Sequence, residues 1–349
     1  MKPLPDFYGN ASVAETLAQT IEQQRIPQTI LLSGPEGIGK ATLARRFAAA
    51  LLGGAEKIER DDLSLPANLD IMEQRDRWTS EKRNDDPLFF STHPDFLTFA
   101  PDGPLRQITM PQMRLLRERA HLKPVSGSHT VFLIDHLYRA NEQAANSLLK
   151  VLEEPPEHLV LIATVENLYD LLPTIRSRAI VFEMSRLSEN EMLAFAQARK
   201  LPDASLRIAL SEGSPGMAAS LDLEQFQIRR ELILAALECA AGLAPFSTWV
   251  GHSETFTASK SEKLDAYLKP MYGVLADILA AMYRQPVAKN RDVQQRIAAI
   301  AQAVDFPWIQ HAVRRVDELV LMVRRNIQKT AALDAMIINL RNPWQRVRT

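Results

Sequence analysis

The residues Gly34-Pro35-Glu36-Gly37-Ile38-Gly39-Lys40-Ala41-Thr42 constrain this chain more than any other stretch. They follow an apolar run, Thr29-Ile30-Leu31-Leu32-Ser33, and open a helical-looking run at residues 42–52. Strand, glycine-rich turn, helix is the context of the phosphate-binding pattern G-x-x-x-x-G-K-[ST]. The glycines let backbone N–H groups close around phosphate oxygens, the helix N-terminus adds partial positive charge, and Lys40 adds a full one. Gly34, Gly37, Gly39 and Lys40 fit the pattern, and the next position does not. Ala41 stands where a hydroxyl would hold Mg²⁺, and Thr42 comes one residue late, which turns its side chain by about 100° on a helix. The residues fit a loop that holds nucleotide without hydrolysing it, and they fit as well a loop that no longer holds one.

Four further apolar runs read as strands: residues 96–99, 131–135, 159–164 and 179–182. Helical patterns separate them, at 111–121 with Pro111 just inside the start, and after Asn141, a candidate N-cap, up to the stop at Pro155-Pro156. Strands alternating with helices predict an α/β fold, a five-stranded parallel sheet with helices on both faces. Ligands in such sheets sit at the carboxyl ends of the strands, where Ser33, Asp135 and Thr164 lie. The polar stretch 55–86, broken by Pro66, reads as an insertion or long loop with a weak helical segment at 71–82. From Ser188, where Ser188 and Glu191 have the spacing of a capping box, the pattern is helical without strands. Amphipathic stretches occupy 226–241, 260–284, 293–304, 308–328 and 330–340, and the residues from 341 on read as frayed. The division expected is a phosphate-loop domain over 1–185, a small helical lid over 186–224 and a helical domain over 225–349.

Bulk properties exclude several classes. With 349 residues, 46% of them apolar, the chain is long enough for two or three cores. Lysine and arginine total 41 against 42 acidic residues, a net charge of −1, which argues against a nucleic-acid binder acting through its whole surface. One cysteine, Cys239, permits neither a disulfide framework nor a cysteine zinc site and reads as a buried thiol. The N-terminus lacks the apolar core of a signal peptide, and no apolar run approaches the ~20 residues of a membrane span, so a cytoplasmic protein is expected.

Asp135 matches the acid that holds Mg²⁺ through water at a strand end. The position after it, where a working ATPase carries a glutamate to polarise water, is His136. His93 reads as part of a capped turn, Thr92-His93-Pro94-Asp95, rather than as a metal ligand. From spacing alone Arg178 reads first as a surface charge or an ion pair, with an arginine finger as the other reading. Arg314, Arg315, Arg324, Arg325 and Lys329, interrupted by Asp317 and Glu318, read as a solvated or subunit-facing surface rather than a nucleic-acid stripe.

These residues carry a resemblance. Residues 34–42, Thr92-His93-Pro94-Asp95-Phe96, Phe132-Leu133-Ile134-Asp135 and above all Ala144-Ala145-Asn146-Ser147-Leu148-Leu149-Lys150-Val151-Leu152-Glu153-Glu154-Pro155-Pro156, followed by Arg176-Ser177-Arg178, resemble the delta-prime subunits of the bacterial DNA polymerase III clamp loader, in the AAA+ group. The likeness covers residues 1–222 well and the helical remainder only in kind. It implies a subunit of an incomplete ring with tau/gamma and delta subunits, a ring that opens the beta sliding clamp and places it on primed DNA. It implies a subunit that is itself silent and acts as a stator, with Arg178 as an arginine finger for a neighbour, Ser177 as its partner and Thr164 as the sensor position. The helical domain over 225–349 is then the collar through which subunits assemble, and no membrane partner is implied. No cofactor is expected with certainty beyond ATP or ADP held weakly in the degenerate loop. Relatives often carry a four-cysteine zinc module where residues 55–88 stand here without cysteine, so no zinc is expected. Ala179 replaces the cysteine usual there, and Met217 replaces a phosphate-sensing arginine. A working tau/gamma-type ATPase is the alternative reading, weakened by Ala41, His136 and Met217.

Overall fold

A computed structural model of the chain describes residue 4 and residues 7–258, 265–287, 289–323 and 329–341. The chain divides into two compact units: residues 1–201 with 212–217, and residues 202–211 with 218–349.

The first unit is built on β1 (Thr29–Ser33), β2 (Phe96–Phe99), β3 (Thr130–Ile134), β4 (Leu159–Val165) and β5 (Ile180–Glu183), all parallel, in the order β2-β3-β4-β1-β5. The first four are buried along their whole length, which is why they read as unbroken apolar runs. Edge strand β5 is half-exposed, with Ile180 53% accessible. The helices of this unit are α1 (Ala11–Glu22), α2 (Lys40–Leu52), α3 (Ala55–Glu59), α4 (Pro66–Asp76), α5 (Ser80–Asp85), α6 (Met110–Ala120), α7 (Glu142–Glu153), α8 (Pro173–Arg176) and α9 (Glu189–Ala198).

Alternation along the strands sorts the two faces. Ile30, Leu32, Val131 and Leu133 pack with Leu17 of α1 and Leu43 and Phe47 of α2. Leu31, Phe132 and Leu161 pack with Leu116 of α6 and Leu148 of α7 on the other side. Each such side chain, fully buried, contributes about 1.5–3 kcal/mol. The predicted caps form: the Asn141 side chain accepts from the N–H of Ala144 at 2.9 Å, and Ser188 and Glu191 make a reciprocal capping box.

Of the two readings of 55–86, an insertion or a long loop, the structure shows ordered helices rather than a loop. The stretch forms the helices α3, α4 and α5, with a break at residues 77–79 inside the segment read as one weak helix. Ion pairs that pattern reading does not detect hold it. Arg75, 4% exposed, donates from Nε and Nη2 to the Asp102 carboxylate at 3.0 and 2.7 Å, and Arg45 pairs with Glu59 and Asp62. Met72, Leu88, Phe90 and Ala100 form a small core beneath. His93 is buried, and its Nδ1 accepts from the N–H of Asp95 at 3.1 Å, as the capped-turn reading predicts.

The second unit holds α10 (Ala204–Ser211), and α11 (Pro215–Ser220) begins in the first unit and ends in the second. Then follow α12 (Leu223–Ala240), α13 (Phe246–Ala258), α14 (Asp265–Met282), α15 (Gln294–Ala303), α16 (Phe306–Val323) and α17 (Lys329–Arg341). No strand occurs among its described residues. Leu234, Trp249, Ile278, Trp308 and Ile337 centre its core, Cys239 is buried in it, and Trp249 Nε1 donates to Asp334 at 2.5 Å. The sequence pattern missed α13 and did not foresee Pro270 inside α14. Arg315 pairs with Glu318 at the surface. Arg324, Arg325, the Lys329 side chain, the ends of two predicted stretches and residues 342–349, for which fraying was expected, lie outside the described residues.

Candidate functional site

The phosphate loop leaves β1 and enters α2 with left-handed backbone at Gly37 (φ 73°) and Gly39 (φ 96°). A Cβ on Gly37 would meet Ser214 Oγ at 2.3 Å, and one on Gly34 would meet the carbonyl oxygen of Met184 at 2.2 Å, so only glycine fits at either place. The Lys40 side chain is 7% exposed overall with its residue, and Nζ donates to the carbonyls of Gly34 (2.5 Å) and Pro35 (2.6 Å). Two of its three hydrogens are thus committed and one is left for a ligand. Burial lowers the affinity of Lys40 for its proton. The carboxylates of Glu166, Asp135 and Glu36 oppose that, and the net position stays below the ordinary lysine range.

Sheet order decides what stands beside the loop. β1 lies between β4 and β5, Ser33 pairs with Val165, and Ile134 of β3 pairs with Ala163. Asp135, Thr164 and Lys40 therefore share one edge. The Thr164 hydroxyl donates to Asp135 Oδ1 at 2.5 Å and accepts from the His136 N–H at 2.8 Å. That second bond holds His136 in left-handed backbone (φ 57°). His136 Nε2 stands 3.7 Å from Asp135 Oδ2, too far for a hydrogen bond. Its buried Nδ1 has no partner among the described residues.

Ala41 packs against the apolar core on α2, and Thr42 beside it is half-buried. Segment 214–217 closes the far side of the loop. The Ser214 hydroxyl donates to the carbonyl of Glu36 at 3.1 Å, and the Gly216 N–H donates to that of Gly37 at 2.8 Å. Met217 follows, with its backbone nitrogen 3.2 Å from where a Gly37 Cβ would be. Its thioether brings no charge to a phosphate.

Two predicted residues stand elsewhere. Ile180 pairs with Ile30, so Arg178 lies level with the start of β1, roughly 20 Å along the strand direction from the loop at its end. Arg178 donates to Glu153 (3.1 Å) and to the carbonyl of Thr174 (3.0 Å), and the Ser177 hydroxyl donates to that same carbonyl at 3.2 Å.

The structure adds residues that the sequence reading missed. Glu166 follows the last residue of β4, and the Tyr138 hydroxyl donates to it at 2.5 Å. The rule that picked out Asp135, an acid at the end of a strand, picks out Glu166 as well. Phe7 lies 3.2 Å from a Gly39 Cβ position and lines, with Tyr8 and Glu191, a cavity of about 290 Å³ beside the loop. The glycine cradle and Lys40 are the groups that would hold the phosphates of a nucleotide. The donor set fits Mg²⁺ poorly, since Ala41 offers no oxygen where the pattern has a hydroxyl. Residues 55–88 hold no cysteine for a zinc ion. Among the described residues no three His, Cys, Asp or Glu side chains cluster as metal ligands do.

Comparison with known proteins places the chain in a family. The delta-prime subunit of DNA polymerase III from Pseudomonas aeruginosa is 33% identical over 196 residues, 55% of this chain and 54% of that protein. The gamma/tau subunit from Mycobacterium tuberculosis is 29% identical over 199 residues, 54% of this chain and 30% of that protein. The chain thus spans about a third to a half of the length of these curated relatives. A gamma subunit-related protein of Thermotoga maritima is a solved structure similar at a TM-score of 0.48, with 16% identity, covering 94% of this chain and 98% of that one. The family model described as "DNA polymerase III, delta subunit" matches residues 9–188, half of the chain and all five strands of the sheet. This chain belongs to that family of DNA polymerase III clamp-loader subunits.

Proposed function

We propose that this chain is the non-hydrolysing, delta-prime-type stator of a DNA polymerase III clamp loader, working in the cytoplasm. It assembles with tau/gamma and delta subunits to load the beta sliding clamp on primed DNA in replication, and it lends Arg178 to a neighbouring ATPase site. The observation that carries this reading is the separation of Arg178 from the chain's own phosphate loop, by the length of the sheet. A guanidinium at that edge cannot serve Lys40 in the same chain, and its one charged partner among the described residues, Glu153, is itself exposed. A trans-acting arginine of this kind stabilises charge developing on a phosphoryl group and is worth about 10³–10⁵ in rate where it has been measured.

Ala41, His136 and Met217 support the silent half of the reading. Each removes a different part of a working site: a metal ligand, a water-polarising carboxylate and a cation for phosphate. ATP or ADP is then held weakly at most, and zinc has no role. The division into a phosphate-loop domain (1–185), lid (186–224) and collar (225–349) belongs to the same proposal. No described helix is long and apolar enough to cross a membrane.

An active tau/gamma-type ATPase is the second reading, favoured by the retained glycine cradle and the anchored Lys40. Reconstitution with the other loader subunits decides between them. Arg178→Ala is expected to leave assembly intact and cut DNA-stimulated ATP turnover of the complex severalfold or more. Unchanged turnover of the complex removes the finger role. Turnover by the isolated chain near ~1 s⁻¹, lost on Lys40→Ala, establishes the motor reading instead.

A further inference from the structure

We propose that Glu166 is an internal countercharge to Lys40, held in place by Tyr138, and that it sets how weakly this loop takes a polyphosphate. The inference rests on reading residues 34–40 as a nucleotide cradle. A chain of contacts ties Glu166 to that cradle. The Gly34 N–H donates to the carbonyl of Val165 at 3.1 Å, and Lys40 Nζ donates to the carbonyl of Gly34 at 2.5 Å. Glu166 is the residue after Val165, so its backbone is one peptide from the point where the loop is anchored on β4.

The orientation of its carboxylate is also set. Arg139 Nε donates to the Tyr138 oxygen at 3.3 Å, and the single hydroxyl proton of Tyr138 is directed to Glu166 Oε1 at 2.5 Å. Burial and this bond both hold the Tyr138 hydroxyl above the usual phenol range, so it remains a donor. Glu166 is also the foremost of three carboxylates acting on Lys40, ahead of Asp135 and Glu36.

The consequence concerns nucleotide. In a working loop Mg²⁺ neutralises acids that face the phosphates. With Ala41 in the hydroxyl position, a phosphate entering here meets three carboxylates and one lysine with no metal held between them. Glu166 offsets the Lys40 charge that would otherwise attract phosphate, and in a partly buried site water screens that pairing little. Unlike Asp135, Glu166 does not stand at the position that holds the metal of a working loop, so removing its charge frees Lys40 for phosphate without changing Asp135.

The test is equilibrium binding of a fluorescent ADP analogue to the full chain in EDTA. Glu166→Gln keeps an acceptor for Tyr138 and loses the charge. It is expected to tighten binding about tenfold, about 1.4 kcal/mol. Tyr138→Phe, which frees the carboxylate to turn away, is expected to tighten binding less. Lys40→Ala added to Glu166→Gln is expected to abolish the gain. Equal affinity of Glu166→Gln and the unaltered protein, or binding by neither, overturns the proposal. So does a gain that survives Lys40→Ala. If Glu166→Gln fails to fold, Tyr138→Phe decides alone, and unchanged affinity overturns the proposal. The Arg178→Ala measurement in the reconstituted loader reports on the stator role separately, so failure of one reading is distinguishable from failure of the other.

Discussion

Thr164→Val isolates the contact that joins β4 to the acidic end of β3. Thr164 is fully buried, and valine has nearly its shape, so no cavity opens. Two hydrogen bonds are lost. One is the hydroxyl's bond to Asp135, at 2.5 Å to a charged acceptor, where about 1.5–3 kcal/mol is typical. The other leaves the His136 N–H unpaired inside the protein, at a cost of about 1–3 kcal/mol. Asp135 is only 7% exposed and the two losses share one side chain, so a net of about 2–4 kcal/mol is the expected order. Because the chain has two compact units, one global unfolding curve would mix them. Hydrogen exchange of the peptide spanning residues 130–141 reads the site locally. Valine at 164 should speed exchange at His136 by roughly 30- to 1,000-fold, the equivalent of that energy. Thr164→Ser, which keeps the hydroxyl, should stay within about tenfold of the parent. A valine variant indistinguishable from the serine variant would refute the argument that the hydroxyl holds this edge together.

Two further outcomes follow from contacts away from the loop. Arg75→Ala leaves Asp102 buried without its partner and should destabilise its surroundings by about 3–5 kcal/mol, read by hydrogen exchange of peptides within residues 66–102, whereas Arg75→Met with Asp102→Leu should recover most of the loss. Equal loss in both variants would show that packing rather than charge is at stake. At the start of α9 the Ser188 hydroxyl and N–H both donate to Glu191 and hold its carboxyl below the usual range. A carboxyl depressed by folding contributes stability that is complete above its unfolded value, about pH 4.3, and is lost as pH falls through the lower folded value. The stability gap between the parent and Glu191→Gln should therefore hold from pH 7 to about 5 and close below about pH 4; a gap that instead widens in acid contradicts the assignment.

Local pattern carried the first unit a long way. Periodicity and turn chemistry are properties of neighbouring residues, so the five strands, the caps at Asn141 and Ser188 and the glycine loop were legible within a residue or two. The departures at Ala41, His136 and Met217 were legible for the same reason, since each is a substitution inside a recognisable pattern. The stretch 55–86 was read only in part, as an insertion or long loop with one weak helix, because what orders it is not periodic. Its apolar content is small, and Arg75 finds Asp102 across 27 positions of sequence. In the second unit α13 escaped notice because its amphipathic pattern is weak, although Trp249 within it is buried and bonded to Asp334, 85 positions away.

The residues alone settled which chemical groups this chain has: a lysine at the end of a glycine-rich loop, an alanine rather than a hydroxyl after it, a histidine rather than a glutamate after Asp135 and a single cysteine. Where those groups stand came only with the sheet. Inserting β1 between β4 and β5 brings Glu166, Thr164 and Asp135 to Lys40 and sends Arg178 to the opposite edge, and no spacing along the chain encodes that choice. Strand order is decided by which buried faces pack together, a sum over contacts distant in sequence, and so the separation of Arg178 from the phosphate loop is a product of tertiary structure.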